Sequence, residues 1–384
     1  MVSKKNFLIF STADWSSKYW TNKQNVAQEL AKKGHNVFYV ESVGIRRPNI
    51  SSKKDFLRAS RKIFYSFKKN KKIGNIQVIS PPIIPFKTQF KFFFKIYNNL
   101  LENKIIEVLK KESIGEINII TYHPFFELNK LKSYINKIIY HCVDDLSSVE
   151  GIPKNYFKIY DKKLVKQADC IFTCCDDLYN KFKKLRKKVY FLKNAVSEDF
   201  LKKSRKKYKI PNELKKIKKP IFGFHGVISD FKLNLKIYLK IIIENKDCNF
   251  LFIGEEYELN KERYFEKIIK KKNVLFLNYK KYLQLPKYLK YIDFGLLIYK
   301  NNQYTKNMFP LKINELLLCD TPVMTSNINA IKYFSKGVIR LNSGAKNFKK
   351  YKKYKKKIKI LSYSERNQMT YSNLVNSILK ESNI

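Results

Sequence analysis

The amino-acid sequence predicts an α/β protein built from two doubly wound, Rossmann-like domains. Short apolar runs alternate with longer amphipathic segments along the chain, and this βαβα order implies parallel sheets covered by helices. A lysine-rich stretch with few apolar residues interrupts the alternation, and a second alternating series follows it. The length of 384 residues also suggests two domains, at roughly 100–200 residues per domain. We therefore expect an N-terminal domain, a linker, a C-terminal domain and a final helix that packs back on the N-terminal domain, at 1–199, 200–219, 220–362 and 363–384.

The elements of the first domain follow from its apolar periodicity. We predict strands where short apolar runs stand between turn residues, at 6–11, 36–41, 76–80, 117–122, 137–143, 170–173 and 189–192. Helices are predicted between them, at 22–33, 91–111, 154–167 and 176–185. Gly34 ends the first of these helices in the manner of a C-cap.

The second series repeats the pattern. Its predicted strands are 221–225, 249–253, 274–277 and 294–298, and its predicted helices are 233–244, 261–270 and 283–290. Ligands of doubly wound sheets bind beyond the carboxyl ends of the strands. We expect the loops in that position to face one another across an interdomain cleft, namely 11–20, 144–150, 226–232 and 299–309.

The charge of the chain indicates anionic partners. The net charge is +47, from 79 Lys and Arg against 32 Asp and Glu. Such a chain is drawn to nucleic acid, acidic lipid or phosphorylated substrates. Lysine, isoleucine and asparagine are abundant throughout, as an A/T-biased coding sequence would make them, so part of this excess carries no functional meaning.

The cysteines and the apolar runs indicate a cytoplasmic protein. No C-x-x-C pair occurs, which argues for reduced, buried thiols and against a zinc site or a disulfide scaffold. The first apolar run, 7–10, is too short for a secretory signal, and no uncharged run approaches the ~18 residues of a membrane span. We expect the protein to meet a membrane, if at all, from its cytoplasmic side.

The most informative motif is 308–324, MFPLKINELLLCDTPVM. We read it as a short helix opened by Pro310, a tight turn at Asp320 and Thr321, and a buried strand. Lys312 and Glu315 lie three residues apart and share one helix face. A cation and a carboxylate at a helix start suit a phosphorylated, hydroxyl-rich ligand, because the helix N-terminus attracts phosphate and the carboxylate accepts ribose hydrogen bonds. The alternative is an ordinary surface ion pair.

Two strand ends carry further candidates. In the loop after 221–225, Gly226 lets the backbone approach a ligand closely, and Ser229 or Asp230 caps the next helix. We expect this loop to bind phosphate. A plain strand–helix turn is the alternative. At the end of 137–143, Asp144 and Asp145 serve as a base or substrate clamp, or they cap the next turn.

Two aromatic segments suggest an acceptor and a membrane. Asp14, Trp15, Trp20 and Gln24 cluster after the first strand and suit sugar rings, the alternative being core or interdomain packing. The basic segment 53–72 places its apolar residues on one helical face, as in helices that lie on anionic membranes. The alternative is a core helix with a solvated basic face. In the membrane interpretation, the Phe92-Phe93-Phe94 run extends the membrane-facing surface.

Residues that match a known family are spread in order over most of the chain. They are Trp20, Gln24, Leu30, Gly34, His35, Val37, 139–145, Ala168, Asp169, 193–196, Phe200, 224–226, Tyr282, Leu283, Leu285, Pro286, Tyr288, Leu289, Asp293, Pro310, Lys312, Glu315, Pro322 and Val323. On these residues the chain resembles the GT-B-fold glycosyltransferases of the glycosyl transferases group 1 (family 4) type. It is most similar to the teichuronic-acid branch, which builds bacterial cell-surface polysaccharides.

The resemblance implies transfer of a sugar from a nucleotide diphosphate donor to a lipid-linked saccharide, with retention of configuration and no obligatory metal or other cofactor. It places the donor on the second domain, with Glu315 on the ribose and Lys312 near the diphosphate. The remaining donor contacts it implies are Gly226, Ser229, Lys232 and Pro310. It places the acceptor on the first domain. The catalytic residues it implies are Asp144 and Lys312. The absence of any Asp-x-Asp pair, the usual clamp for a metal-bound nucleotide, agrees with this reading.

Several positions depart from the family pattern. Asn307 stands where relatives often carry a glutamate, Val227 where an arginine is usual, and Asp144 near a common histidine. A glycine-rich loop is replaced by Ser-Thr-Ala-Asp at 11–14. A non-catalytic interaction protein on this fold is therefore an alternative, and so is a nucleic-acid-binding protein that uses the basic runs 202–207 and 349–359.

Overall fold

The computed structural model describes residues 3–42, 71–82, 84, 90–149, 151–186, 188–257, 263–334, 336–350 and 361–384. These residues form two compact units. The first contains the described residues up to Lys193 together with Leu374–Ile384, and the second is Asn194–Asn373. None of the helices within the described ranges is both long enough and apolar enough to cross a membrane.

The first unit is built on an eight-stranded sheet in the order β3-β4-β2-β1-β5-β6-β7-β8. All neighbouring strands are parallel except β3 and β4. The strands are β1 Asn6–Phe10, β2 Asn36–Val40, β3 Lys71–Ile73, β4 Ile76–Ile79, β5 Ile117–Thr121, β6 Ile135–Cys142, β7 Cys170–Thr173 and β8 Val189–Phe191. The helices are α1 Asn22–Lys32, α2 Lys91–Lys111, α3 Lys154–Gln167 and α4 Asp176–Lys183.

The second unit contains a six-stranded parallel sheet in the order β11-β10-β9-β12-β13-β14. Its strands are β9 Ile221–His225, β10 Asn249–Ile253, β11 Val274–Leu277, β12 Phe294–Leu297, β13 Val323–Thr325 and β14 Val338–Arg340. Its helices are α5 Glu198–Ser204, α6 Leu235–Glu244, α7 Tyr264–Ile269, α8 Leu285–Leu289, α9 Gln303–Lys306, α10 Leu311–Leu318 and α11 Tyr363–Gln368. The sequence did not predict β14.

Both sheets are buried by apolar strands, which is the pattern of parallel sheets covered by helices. Every residue of β5 and of β9 is buried, and so are four of the five residues of β1. In each unit the first strand of the alternating series lies inside the sheet, and the later strands extend to both sides. The prediction of two doubly wound α/β domains is confirmed.

The stretch 200–219 lies within the second unit rather than outside it. Helix α5 begins this stretch and buries Phe200 and Leu201, and Leu214 is buried further on. The ring of Phe200 lies 4.9 Å from the ring of Tyr282. These few apolar residues are enough to attach the segment, and many of its lysines point to solvent.

The end of the chain returns to the first unit. Helix α12, Tyr371–Ser382, is the last helix, and Leu374–Ile384 belong to the first unit. There the Ser382 Oγ lies 3.2 Å from the Cys170 Sγ, and Val375 and Ile378 are fully buried.

The basic segment 53–72 is seen only at its end. Residues 71 and 72 are part of β3 and not of a helix, since they pair with β4. Residues 53–70 lie outside the described residues.

All six cysteines are described, buried and free of disulfides, as the sequence predicts.

Candidate active site

Helix α10 begins as its sequence predicts. Pro310 is the residue just before it, with φ −71° and ψ 113°, and Lys312 lies in its first turn. Ile313, Leu316 and Leu317 are buried and fix the helix against the sheet. After the helix, Asp320 takes φ +62° in the predicted turn, and β13 follows.

Glu315 turns toward the sheet, and its partner is a histidine. The Nε2 of His225, at the end of β9, lies 2.6 Å from the Glu315 Oε2. The side chains of His225 and Glu315 are 2% and 9% exposed. A plain surface ion pair between Lys312 and Glu315 is therefore the wrong interpretation, because the carboxylate is buried and is held by another residue.

Glu315 is held as a carboxylate. Burial raises its pKa, but the hydrogen bond from His225, the Lys312 cation and a hydrogen bond from Tyr282 lower it more, so the pKa stays below its ordinary value. The same contacts fix its orientation. The sequence indicated His225 and Tyr282 only as family matches.

The other imidazole nitrogen has no partner among the described residues. The Nδ1 of His225 is buried and makes no hydrogen bond. Because Glu315 is an anion, the His225 Nε2–H donates the hydrogen bond and the carboxylate accepts it.

Lys312 lies across Gly226. A Cβ atom at Gly226 would stand 2.6 Å from the Lys312 Cε and 2.9 Å from its Nζ. The Nζ also lies 5.5 Å from the centre of the Phe224 ring. Burial lowers the pKa of Lys312 to about 8, with the nearby Lys232 lowering it further and Glu315 opposing both. Two cations near a glycine backbone make a site that favours an anion.

The loop after β9 packs tightly against the end of β10. Gly226 takes φ +108°, and its N–H donates to the Ile253 carbonyl at 2.8 Å. Gly254, at φ +154°, touches it so closely that a Cβ there would lie 1.9 Å from the Gly226 oxygen. Both glycines are thus required by backbone conformation and by close approach.

Ser229 and Lys232 complete this loop. The Ser229 Oγ accepts a hydrogen bond from the Phe231 N–H at 3.2 Å, which favours the turn-forming reading of this serine. The Lys232 Nζ lies 5.0 Å from the centre of the Tyr304 ring. All the residues predicted for the donor, Gly226, Ser229, Lys232, Pro310, Lys312 and Glu315, lie in the second unit.

Three asparagines surround the start of α10. The Asn314 Nδ2 donates to the Asn194 carbonyl at 2.6 Å, and the Asn194 Nδ2 donates to the Phe309 carbonyl at 2.7 Å. Asn307, the departure from the family glutamate, is 3% exposed, and its Oδ1 accepts no hydrogen bond within the described residues. The sequence marked Asn194 only as a family match and did not indicate Asn314.

In the first unit the two aspartates after β6 have different partners. Asp145 accepts hydrogen bonds from the Ser147 N–H at 3.2 Å and from the Ser148 Oγ at 2.6 Å, so it caps the next turn. Asp144 Oδ2 lies 3.4 Å from the Nζ of Lys23. Lys23 is 5% exposed and was missed by the sequence analysis, since a single lysine among many gives no signal.

The histidine that precedes these aspartates stays neutral. Burial lowers the pKa of His141 to about 3, with Lys23 lowering it further and Asp144 opposing both. Its Nδ1 lies 3.3 Å from the Tyr122 hydroxyl.

The acceptor candidates form one cluster beside α1. The Trp15 and Trp20 rings lie 5.0 Å apart, and the Gln24 Nε2 donates to the Asp14 carbonyl at 3.0 Å. Gln24 is fully buried and also accepts from the Thr21 N–H, so it supports the loop. Both tryptophans are half-buried and leave part of each ring open to solvent. Gln24 adjoins Lys23, the partner of Asp144, so these residues meet at the start of α1.

Solved structures with this architecture include a sucrose-phosphate synthase, a glycosyltransferase and a protein in complex with UDP. Sucrose-phosphate synthase of Thermosynechococcus elongatus matches with a TM-score of 0.68 at 10% identity, over 98% of this chain and 98% of that one. A glycosyltransferase of Rickettsia africae ESF-5 matches with a TM-score of 0.66 at 12% identity, over 99% and 98%. HepE of Anabaena in complex with UDP matches with a TM-score of 0.59 at 11% identity, over 99% and 95%. The fold of the chain is therefore the GT-B fold.

A curated relative agrees with the resemblance drawn from the sequence. It is a protein of Bacillus subtilis (strain 168) that is provisionally named a teichuronic acid biosynthesis glycosyltransferase, TuaH. The two are 27% identical over 228 residues, which span 56% of this chain and 56% of the relative. The match thus covers about half the length of the relative. No family model matches the chain.

Proposed function

We propose that the chain is a glycosyltransferase that moves a sugar from a nucleotide diphosphate donor to a lipid-linked saccharide. The carrying observation is the buried His225–Glu315 pair beside Lys312 and Gly226. A carboxylate fixed at one side of two cations and a glycine backbone suits a ribose joined to a diphosphate. The name of the Bacillus subtilis relative supports the same class of reaction and a role in cell-surface polysaccharide synthesis.

Each donor residue has a separate role in this proposal. Glu315 accepts hydrogen bonds from the ribose hydroxyls, and Pro310 ends the preceding loop so that the first turn of α10 is open to the ligand. Lys312, Lys232 and the loop from Gly226 to Ser229 hold the diphosphate. Negative charge grows on the diphosphate as the sugar departs, so a cation fixed there stabilises the transition state more than the ground state.

The reaction is proposed to retain the anomeric configuration and to need no metal. Among the described residues, no group of three or more His, Cys, Asp or Glu side chains has the arrangement of a metal site. In our proposal lysines and backbone N–H groups neutralise the diphosphate and no cofactor takes part. Chelation with EDTA should then leave turnover unchanged.

The acceptor is assigned to the first unit. The half-buried Trp15 and Trp20 rings offer flat apolar surfaces for sugar rings, and Gln24 fixes the Asp14 loop beside them. Asp144, paired with Lys23, is the carboxylate that orients an acceptor hydroxyl. A lipid-linked acceptor places the protein on the cytoplasmic face of an anionic membrane, as its charge also favours.

The test is a thermal-shift screen against nucleoside diphosphates, followed by titration calorimetry. Ligand binding to the native state raises the melting temperature by mass action. UDP comes first, because the Anabaena structure contains it. We expect Glu315→Gln to weaken binding by about tenfold or more, since charge-assisted hydrogen bonds are worth roughly 1.5–3 kcal/mol.

Lys312→Ala is the matched comparison, and we expect it to reduce turnover more than ground-state binding. Equal nucleotide affinity for Glu315→Gln and the wild type would show that the donor site is wrongly assigned. Tight nucleotide binding without sugar transfer to any acceptor would favour the non-catalytic alternative suggested by Asn307 and Val227.

A further inference from the structure

Helix α2 begins with a cluster of exposed apolar side chains. Between 90 and 100, five large apolar residues are at least 36% exposed. They are Phe90, Phe92, Phe93, Ile96 and Leu100. The Phe93 ring contacts the rings of Phe90 and Phe92, with centroids 5.9 Å and 5.7 Å away. We call this set the α2 stripe.

The stripe is not a displaced part of the core, because the opposite face of α2 is fully packed. Phe94, Tyr97, Leu101 and Ile105 are at most 2% exposed. The Phe94 ring lies 4.7 Å from the Tyr160 ring on α3. Phe94 was grouped with Phe92 and Phe93 in the sequence, but it points the other way. The helix is therefore anchored on one side and presents aromatic side chains on the other.

The stripe is flanked by positive charge. Lys91 and Lys95 lie on one side of it and are exposed, and 90–101 contain no aspartate or glutamate. A helix N-terminus normally favours acidic residues, so this charge works against the helix dipole and does not stabilise the helix. The exposed apolar residues also stop after three turns, since the exposed residues further along the helix are polar or charged, namely Asn103, Glu107, Lys110 and Lys111.

We propose that the α2 stripe docks on the surface of an anionic lipid bilayer. Aromatic and aliphatic side chains enter the boundary between headgroups and acyl chains, and the flanking lysines meet the lipid phosphates. A second copy of the chain is a poor occupant, because two stripes face to face would bring Lys91 and Lys95 of both copies together at a net charge of +47 each. This docking deepens the membrane association proposed above and does not depend on sugar transfer.

The test is flotation of the full chain with two kinds of vesicle, phosphatidylglycerol with phosphatidylcholine and phosphatidylcholine alone. We expect binding to the anionic vesicles, with at least about tenfold weaker binding for Phe92→Ser/Phe93→Ser, because both rings leave water on docking. Lys91→Glu/Lys95→Glu should weaken binding to the anionic vesicles most at low salt.

A matched control substitutes exposed apolar residues elsewhere in the same unit. Ile159→Ser/Leu185→Ser changes side chains that are 54% and 61% exposed, and it should bind vesicles like the wild type. Brominated acyl chains should quench the added fluorescence of Phe92→Trp. UDP affinity should be the same in all these variants, which separates this inference from the proposed donor site.

Two results would overturn the proposal. One is equal binding of anionic vesicles by the wild type and by Phe92→Ser/Phe93→Ser. The other is a concentration-dependent dimer in light scattering that the same double substitution abolishes while vesicle binding is unchanged. The second result would assign the stripe to self-association.

Discussion

In the proposed donor site, His225 acts through Glu315. Its Nε2 lies 2.6 Å from the carboxylate and its ring is almost fully buried, so it fixes the direction and supports the charge of the group that we propose binds the ribose. A carboxylate in a buried place needs such a donor, because unpaired charge there is costly. We therefore regard His225 as a positioning residue.

Substitution of His225 separates this role from simple packing. Gln places an amide N–H near the position of the imidazole Nε2, whereas Phe fills the space without a donor. We expect His225→Gln to keep UDP affinity within about threefold and His225→Phe to lower it by about tenfold, the effect of ~1.4 kcal/mol. Calorimetry on both variants, at matched melting temperature, measures the difference.

The pH profile gives a second readout for His225→Phe. The hydrogen bond from His225 lowers the pKa of Glu315, so its loss raises that pKa. The carboxylate then protonates at a higher pH, and UDP affinity should be lost earlier as the pH falls. An unchanged acid limb in His225→Phe would mean that the histidine only fills space.

Lys312 should set the alkaline limit of nucleotide binding. Its pKa is lowered to about 8, and a bound diphosphate favours the protonated amine. UDP affinity should therefore fall as the pH rises through 8, by at most tenfold per pH unit. Lys312→Met should bind more weakly and lose this limb. Calorimetry between pH 7 and 9.5 checks the prediction, and a wild-type affinity that is flat over that range contradicts it.

The same lysine should also lower the free energy of unfolding near neutral pH. Its folded pKa lies below its unfolded value of 10.5, so between pH 8 and 10.5 the unfolded chain binds more protons and stability rises with pH. Below pH 8 the full loss of stability that Lys312 causes is present. Because Lys312 is half-buried and partly solvated, we expect Lys312→Met to raise the free energy of unfolding at pH 7 by only ~1–2 kcal/mol. In urea unfolding, Lys312→Met should be more stable than the wild type at pH 7, and the two should be equally stable at pH 11.

At this scale the sequence indicated the residue types of the site but not their contacts. The spacing of Lys312 and Glu315 put both on one helix face, which is what an exposed ion pair also requires. The partner of Glu315 comes from β9, 90 positions earlier, and no local pattern reports a contact over that separation. Lys23 was missed for the same reason, because its partner Asp144 is 121 positions away.

At the scale of elements, the site depends on two loops whose backbones are in direct contact. Gly226 follows β9 and Gly254 follows β10, and Gly254 packs against the backbone of Gly226. Parallel pairing of β9 and β10 places both carboxyl ends at the same edge, so close packing there fixes the loop that carries the candidate phosphate contacts.

Alanine substitutions at these two glycines should have different effects. At Gly226 the new methyl group meets the end of the flexible Lys312 side chain, so we expect weaker UDP binding with destabilisation of ~1–2 kcal/mol from the positive φ. At Gly254 it meets backbone at 1.9 Å, so we expect destabilisation above ~3 kcal/mol. Chemical unfolding and calorimetry on both variants test this. Similar unfolding free energies for the two would contradict the packing described here.

The order of elements was largely predictable, and their attachment was not. Alternating apolar runs reveal buried parallel strands because the local pattern is strong. Strand β14 was not predicted, because it has three residues and only Ile339 of them is buried. The segment 200–219 read as a linker because lysines dominate it, whereas Phe200 and Leu201 decide its position and are too few to show a period.

At the scale of the whole molecule, the net charge of +47 acts on any polyanion, whether or not a specific site exists. Two readings of the sequence depended on it, a donor site for phosphorylated ligands and a nucleic-acid-binding surface. Exposed charges are screened strongly by salt and partly buried ones much less, so salt separates the two.

The last prediction compares UDP with a short single-stranded DNA between about 0.05 and about 0.5 M salt. DNA binding through dispersed lysines releases many counterions and should weaken by orders of magnitude over that range. In the proposed donor site UDP meets a few fixed groups around Lys312 and Glu315, so its affinity should fall by less than about tenfold. Glu315→Gln provides the control, since it should weaken UDP and leave DNA binding unchanged or slightly stronger. If UDP followed the DNA salt dependence and ignored Glu315→Gln, its binding would be a property of the general charge, and the donor site on α10 would have to be abandoned.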